Sequence, residues 1–276
     1  MKKVWQGCLI WFIASLCIYA TQAHAETFRQ RHTEALFMEM EQYLWEESDT
    51  SGQFLRNEEG QRMSVGYTSD NMGWNHPGIL YEISGKGILG VVYYRDADPM
   101  PMLGVTTETL ASKADYIGTS ISGNVGQRYG FLAEPYMLEV MVGVEIDAWG
   151  RNIRTEVGSG IGRGVKEAFL VVSPSLSAGM TGWWGRRRHR MLLGIKHPAI
   201  IERINLSAIG SLQPSGFPMP FGHMELTRVL DVFSYWLNIR LFFDSRFINA
   251  AGPHVNYRSD RAMQWNGGIR ITLDKH

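Results

Sequence analysis

The sequence predicts an all-β fold, a closed antiparallel up-and-down transmembrane β-barrel of about ten strands, with eight to twelve compatible. Three observations carry this expectation. Apolar and polar residues alternate with period two along most of the chain. The connections between alternating segments are long and short in turn. An export-type leader precedes them all.

The leader comes first. Lys2 and Lys3 form a basic start, Cys8 to Ala20 is an apolar stretch of 13 residues, and Ala23-His24-Ala25 is a small-x-small cleavage site. That order marks a secretory signal. The stretch is short of the roughly 20 residues a helical span needs. Residues 1–25 are therefore expected to be a cleaved signal peptide, with 26–276 forming the barrel. Both cysteines, Cys8 and Cys17, lie in the leader. The remaining chain then has neither disulfide nor thiol chemistry.

Composition excludes several classes. The 276 residues are 45% hydrophobic and 12% aromatic, too much for disorder. Mean hydropathy is −0.15 and no apolar run beyond the leader reaches the roughly 18 residues of a membrane helix. With 27 basic and 27 acidic residues, charge gives no support for nucleic-acid binding. The 30 glycines are about 11% of the chain, against a usual value of about 7%.

The alternating segments follow in order. Leu36 to Glu47 and Arg62 to Ser69 are weak. Ile79 to Tyr94 sets Ile79, Tyr81, Ile83, Leu89, Val91 and Tyr93 against Glu82, Ser84, Lys86 and Gly90. Ala114 to Gln127 sets Ile117, Thr119, Ile121 and Val125 against Gly118, Ser120, Ser122, Asn124 and Gly126. Tyr136 to Ala148 places Tyr136, Leu138, Val140, Val142, Val144 and Ile146 opposite Glu139, Gly143, Glu145 and Asp147. Glu167 to Met180 places Leu170, Val172 and Leu176 opposite Ser173, Ser175 and Ser177, with Pro174 interrupting the ladder. Met191 to Lys196 and Met224 to Val229 are short and weak. Asp231 to Phe247 is the clearest, with Phe233, Tyr235, Leu237, Ile239, Leu241 and Phe243 against Asn238, Arg240, Asp244 and Arg246. Ile269, Ile271 and Leu273 close the series, alternating with Arg270, Thr272 and Asp274.

The connections are about 14, 9, 19, 8, 18, 10, 27, 1 and 17 residues long, with boundaries good to a few residues. An outer-membrane barrel predicts this rhythm of long outer loops and short periplasmic turns. Its apolar faces meet lipid and its charged faces line the lumen. The expected lumen network is Glu39, Glu41, Glu82, Lys86, Glu139, Glu145, Asp147, Glu167, Arg240, Asp244, Arg246 and Arg270. Ten strands enclose little more than the side chains that fill eight-stranded barrels. A plug, or at most a narrow porin-like pore, is expected. Aromatics towards strand ends (Trp45, Tyr67, Tyr93, Trp149, Trp183, Trp184, Phe243 and Trp265) are expected in interfacial girdles. A soluble periplasmic β-sandwich that binds a ligand shares the alternation and stays open as an alternative.

The sequence resembles Gram-negative outer-membrane β-barrel proteins of about ten strands. The resemblance rests on MEMEQYLWEES (Met38 to Ser48), GVEIDAWGR (Gly143 to Arg151), FSYWLNIRLFFDSRF (Phe233 to Phe247) and WNGGIRITL (Trp265 to Leu273). It implies a bacterial outer-membrane location and a monomer. The partners it implies are membrane lipid, lipopolysaccharide and the barrel-insertion machinery. Such barrels usually end in an aromatic residue, whereas this sequence ends Asp274-Lys275-His276. The resemblance transfers no catalytic residue.

Chemistry-bearing motifs are sparse. The histidines after the leader are His32, His76, His189, His197, His223, His254 and His276, and none stands in an H-x-x-x-H or H-x-H pair. No metal site and no cofactor are expected. No enzyme motif is found. The alternative activity is an outer-membrane hydrolase of lipase or protease type, with a Ser/His pair on the outer wall near His197 or His223. The run Trp183-Trp184-Gly185-Arg186-Arg187-Arg188-His189-Arg190 falls in a predicted periplasmic turn. Trp183, Trp184, Arg186, Arg187 and Arg188 are expected to anchor the interface there rather than bind nucleic acid. Gly158 to Val165 (GSGIGRGV) lacks the ending of a phosphate loop and reads as a flexible loop. The expected role is a scaffold presenting surface loops, or a narrow passive pore.

Overall fold

A computed structural model describes residues 32–48, 54–71, 76–96, 110–130, 136–154, 165–184, 187–205, 210–212, 221–232, 235–249 and 261–275. The expected leader and signal cleavage site lie outside these residues. Every element among them is a strand: β1 Thr33–Ser48, β2 Phe54–Asp70, β3 Gly78–Asp96, β4 Leu110–Gly130, β5 Tyr136–Ile153, β6 Val165–Trp184, β7 Arg187–Lys196, β8 Ile200–Asn205, β9 Gly210–Leu212, β10 Phe221–Val232, β11 Tyr235–Asn249 and β12 Arg261–Lys275.

The strands close on themselves. Neighbours run β1 to β7 in chain order, then β10, β11, β12 and back to β1, all antiparallel. Ten strands thus form the wall. Closure satisfies every ladder without leaving an edge, which the hydrocarbon region of a membrane requires. The cross-strand row leaving β6 at Gly179 passes Leu192, Glu225, Phe242, Gly268, Glu41, Arg62, Gly90, Tyr116 and Arg151. It returns to β6 at Glu167, an offset of twelve residues. Such an offset tilts the strands by roughly 40° and fixes a lumen about as wide as two inward side chains.

β8 and β9 are additions inside the long seventh connection. The lower part of β6, from Ser175 to Trp184, pairs with β7; its upper part, from Glu167 to Val172, pairs with β8. Between them the His197 N–H donates to the Pro174 carbonyl at 2.9 Å and the Ala199 N–H to that of Val172 at 2.8 Å. The pairing therefore continues past Pro198 with a one-residue shift, a bulge made where neither Pro174 nor Pro198 has an N–H to donate. β9 then pairs back on β8.

Period two now has a physical meaning. In β1 the residues Ala35, Phe37, Glu39, Glu41, Tyr43, Trp45 and Glu47 are buried, while their alternates are exposed from Glu34 to Gln42 and half-buried from Leu44 on. Leu36 is 70% exposed and Ile117 66%, whereas Glu139 and Arg128 are both 0% exposed. Apolar side chains outside and charges inside are the inverse of a water-soluble sandwich, and they overturn that alternative. The outer wall carries Met38, Met40, Met63, Val65, Ile83, Leu89, Val91, Ile121, Met191, Leu193, Ile269 and Ile271 among its exposed apolar residues.

Three expectations need correction. Trp45 and Trp149 are not girdle residues; both are buried in the lumen, while Tyr67, Tyr93 and Trp265 do face outward. Arg188 is not an interface anchor. β7 begins at Arg187, so the arginine run is strand rather than turn, and alternation turns Arg188 and Arg190 into the lumen, 5% and 4% exposed. The side chains of Trp183, Trp184, Arg186 and Arg187 lie outside the described residues. The arginine-rich sequence hides the strand because its inward charges are neutralised by residues distant in sequence.

Candidate functional site

The lumen gathers the chemistry of this chain, in three levels. At the loop end, Tyr43, Trp45, Val92, Tyr94, Ala114, Tyr116, Trp149, Ile153, Phe169 and Val171 form one buried cluster. Trp149 stacks on Phe169 with centroids 5.1 Å apart, and Trp45 meets Phe169 edge-on at 5.7 Å. Arg151 of β5 sits in this cluster. It reaches Glu58 of β2 at 2.5 Å, Glu47 of β1 at 3.2 Å and Glu167 of β6 at 2.5 Å. Its guanidinium lies 5.2 Å from the Phe169 ring centre and 5.6 Å from that of Trp45. Tyr116 donates to Glu58, and its hydroxyl is 3.2 Å from that of Tyr43. Just below, Arg62 pairs with Glu41 at 2.5 Å and covers the Tyr43 ring at 3.9 Å.

At the turn end the charges interlock again. Arg190 of β7 donates to Glu139 of β5 at 2.6 Å and to Glu225 of β10 at 3.1 Å, and Arg128 holds the same Glu139 at 2.5 Å. Arg240 of β11 reaches Glu82 of β3 at 2.7 Å and Glu225 at 3.0 Å. Glu39 takes both Lys86 and Arg270, the latter at 2.9 Å, and Arg270 lies 4.1 Å over the Phe37 ring. Buried ions keep their charge only with such partners, since an unpaired ion there costs several kcal/mol.

Between these layers lies a cavity of about 130 Å³. One side is small and neutral, with Ser84, Ser120, Ser122, Asn124, Ser175 and Ser177. The other side is charged. Lys196 bridges Glu145 at 2.9 Å and Asp244 at 3.2 Å. His223 places Nδ1 2.8 Å from Asp244 and Nε2 3.7 Å from Glu225. Asp147 lines the same cavity.

One row across the wall runs Asp244, His223, Gly194, Ser177. An acid, an imidazole and a hydroxyl share it, with a glycine between the last two. A Cβ at Gly194 would lie 2.8 Å from that of Ser177. Both imidazole nitrogens, however, face carboxylates. That arrangement makes the ring a bridge between two acids, not a base presented to a hydroxyl. Among the described residues no three His, Asp or Glu side chains are grouped to hold a metal ion.

The expected lumen residues therefore fall as follows. Glu39, Glu41, Glu82, Lys86, Glu139, Glu145, Asp147, Glu167, Arg240, Asp244 and Arg270 all point inward. The side chain of Arg246 lies outside the described residues. The lumen also holds Glu47, Glu58, Arg62, Arg128, Arg151, Arg188, Arg190, Lys196 and Glu225. Parity was the missed signal for several of them: Glu47 shares the parity of Glu39 and Glu41, and Arg151 that of Glu145 and Asp147.

These features define the class: the fold is that of an outer-membrane β-barrel. No known family and no curated protein matches the sequence. Solved structures do. The outer membrane protease OmpT of Escherichia coli aligns with a TM-score of 0.52 at 10% identity, over 88% of this chain and 95% of its own. The β domain of the Bordetella autotransporter BrkA aligns at 0.42 and 9% identity, over 86% of this chain and 98% of its own. The translocator domain of NalP from Neisseria meningitidis aligns at 0.43 and 8% identity, over 96% and 97%.

Proposed function

We propose that this protein is a closed-lumen scaffold of the bacterial outer membrane, exported through its leader, that presents its loop end and conducts no solute. One observation carries the reading. Trp45 and Phe169 touch although their strands stand five places apart in a ring of ten, so side chains from opposite walls meet. Arg151 bridges the same level to β1, β2 and β6. Below, the Arg240–Glu82 pair links β11 to β3 across the turn-end level. A path for ions would have to break these contacts.

Planar-bilayer recording tests the reading. The purified, folded chain should insert without conductance steps. Sustained steps from the unmodified protein would sink it. The Trp45→Ala, Phe169→Ala double variant, if folded, should conduct more than the parent.

A further inference from the structure

Among the described residues six methionines stand exposed on the outer wall: Met38, Met40, Met63, Met180, Met191 and Met224, between 38% and 56% exposed. Four of them are paired. Met40 faces Met63 across β1 and β2, and Met180 faces Met191 across β6 and β7. Directly opposite residues on one face bring their Cβ atoms within about 4.5–5.5 Å, so each pair sets two thioethers side by side. The chain's cysteines, Cys8 and Cys17, both precede β1, and methionine supplies all the sulfur of the wall.

The two pairs differ in their neighbours. From turn end to loop end the outward ladder of β1 and β2 reads Leu36 with Tyr67, Met38 with Val65, Met40 with Met63, and Gln42 with Gln61. Gln42 and Gln61 are both exposed. Two primary amides therefore stand two residues, about 7 Å, above two sulfurs, where the apolar band on these strands first gives way to polar side chains. The Met180–Met191 pair is flanked by Ala178 with Leu193 on one side and by Gly182 with His189 on the other. Neither flanking pair carries a side-chain amide.

A thioether reduces a hydroperoxide by two electrons. The sulfur lone pair takes the terminal oxygen, the O–O bond breaks, and the hydroxyl proton passes to the departing alkoxide. The products are a sulfoxide and an alcohol. Amide N–H groups beside the reacting oxygens stabilise the negative charge that develops on the leaving one. We infer that Met40 and Met63, beneath Gln42 and Gln61, are an oxidation site for organic hydroperoxides carried in the bilayer, the sulfurs taking the oxygen and the amides positioning the leaving group. The inference rests on which way the wall faces and not on whether the lumen conducts.

The test places the full chain in phosphatidylcholine vesicles that contain a phosphatidylcholine hydroperoxide. Sulfoxide at each methionine is followed over time by peptide mass spectrometry. Met40 and Met63 should oxidise about fivefold faster than Met180 and Met191, the factor one hydrogen bond to the leaving oxygen supplies. Met141, 2% exposed in the lumen and accepting from Arg190 at 3.0 Å, should stay reduced. In Gln42→Leu, Gln61→Leu the rates at Met40 and Met63 should fall about fivefold while those at Met180 and Met191 hold. A heat-dependent gel shift shows that the variant is folded. Equal rates at the two pairs, unchanged rates in the glutamine variant, oxidation of Met141 as fast as that of Met40, or the same preference when hydrogen peroxide in the aqueous phase replaces the lipid oxidant would each overturn the inference.

Discussion

Trp45 and Phe169 meet edge to face, ring centres 5.7 Å apart, from strands on opposite sides of the barrel. A contact across the diameter ties two parts of the wall that the backbone ladder joins only through four intervening strands. It therefore resists ovalisation as well as passage. Truncating either ring should cost about 3–5 kcal/mol. The two losses should not add, because each ring is the other's contact; the coupling expected of an aromatic pair is about 0.5–1.5 kcal/mol. Urea unfolding in detergent, run as a double-mutant cycle, measures it. Strict additivity would mean that the rings touch without supporting each other.

Arg151 is the more demanding case. One guanidinium faces Glu47, Glu58 and Glu167, all of them buried. Arg151→Met keeps most of the volume and leaves three carboxylates without their shared cation. A loss of about 3–5 kcal/mol is expected from breaking a buried pair, with three acids affected at once. Restoring neutrality should help: Arg151→Met with Glu58→Gln and Glu167→Gln should recover part of the loss. The readout is the temperature at which the folded gel band disappears. A triple variant less stable than Arg151→Met alone would refute the electrostatic account.

The alternation in the sequence made the wall legible where one face is purely apolar. Tyr136 to Ala148 sits in β5 with the expected faces. Asp231 to Phe247 reads as one strand and is not: Asp231 and Val232 end β10, which pairs back on β11 from Tyr235, and Phe233 and Ser234 lie outside the described residues; from Leu237 to Phe243 the segment follows β11. The alternation failed where both faces are polar. The upper half of β2 reads Asn57-Glu58-Glu59-Gly60-Gln61-Arg62; Glu58 and Arg62 turn inward, while Glu59 and Gln61 are exposed at the level where the wall leaves the apolar band. The Arg188 and Arg190 segment failed for a different reason. Its counter-charges are Glu139 and Glu225, tens of residues away, and no local pattern announces them. Residue type also misled. A tryptophan near a strand end suits a girdle or a plug equally, and only its parity with Glu41 and Glu47 tells that Trp45 is inside. The cavity between the two charged layers was not visible in sequence at all, because it depends on the register of all ten wall strands.

Gly66 shows how the lumen makes room for its aromatics. It stands opposite Phe37 on the adjacent strand. A Cβ at Gly66 would fall 2.4 Å from Phe37 Cζ and 2.4 Å from the Gly85 carbonyl oxygen. The ring therefore lies over the glycine, and the carbonyl leaves no space to move aside. Gly66→Ala should cost about 1–3 kcal/mol through overpacking. Combining it with Phe37→Leu should relieve most of the clash. An alanine variant as stable as the parent would show that the ring is free to swing away.

The outer wall supplies the sharpest contrast with a water-soluble protein. Ile121 faces outward midway along β4 and is 56% exposed. On a soluble surface an arginine there would be nearly neutral, within about 0.5 kcal/mol. Facing the middle of a bilayer it should cost about 2–4 kcal/mol. Lys113, eight residues towards the loop end on the same strand face, supplies the matched control. Lys113→Arg keeps its charge at the rim, where the penalty falls to about 0–1 kcal/mol. Folding titrations into lipid vesicles should therefore separate Ile121→Arg from Lys113→Arg by at least about 1 kcal/mol, with Ile121→Leu indistinguishable from the parent. The same substitutions in detergent should differ less, because a micelle deforms around a charge more readily than a bilayer does. If Ile121→Arg and Lys113→Arg folded into vesicles with equal stability, residue 121 could not be facing the hydrocarbon core.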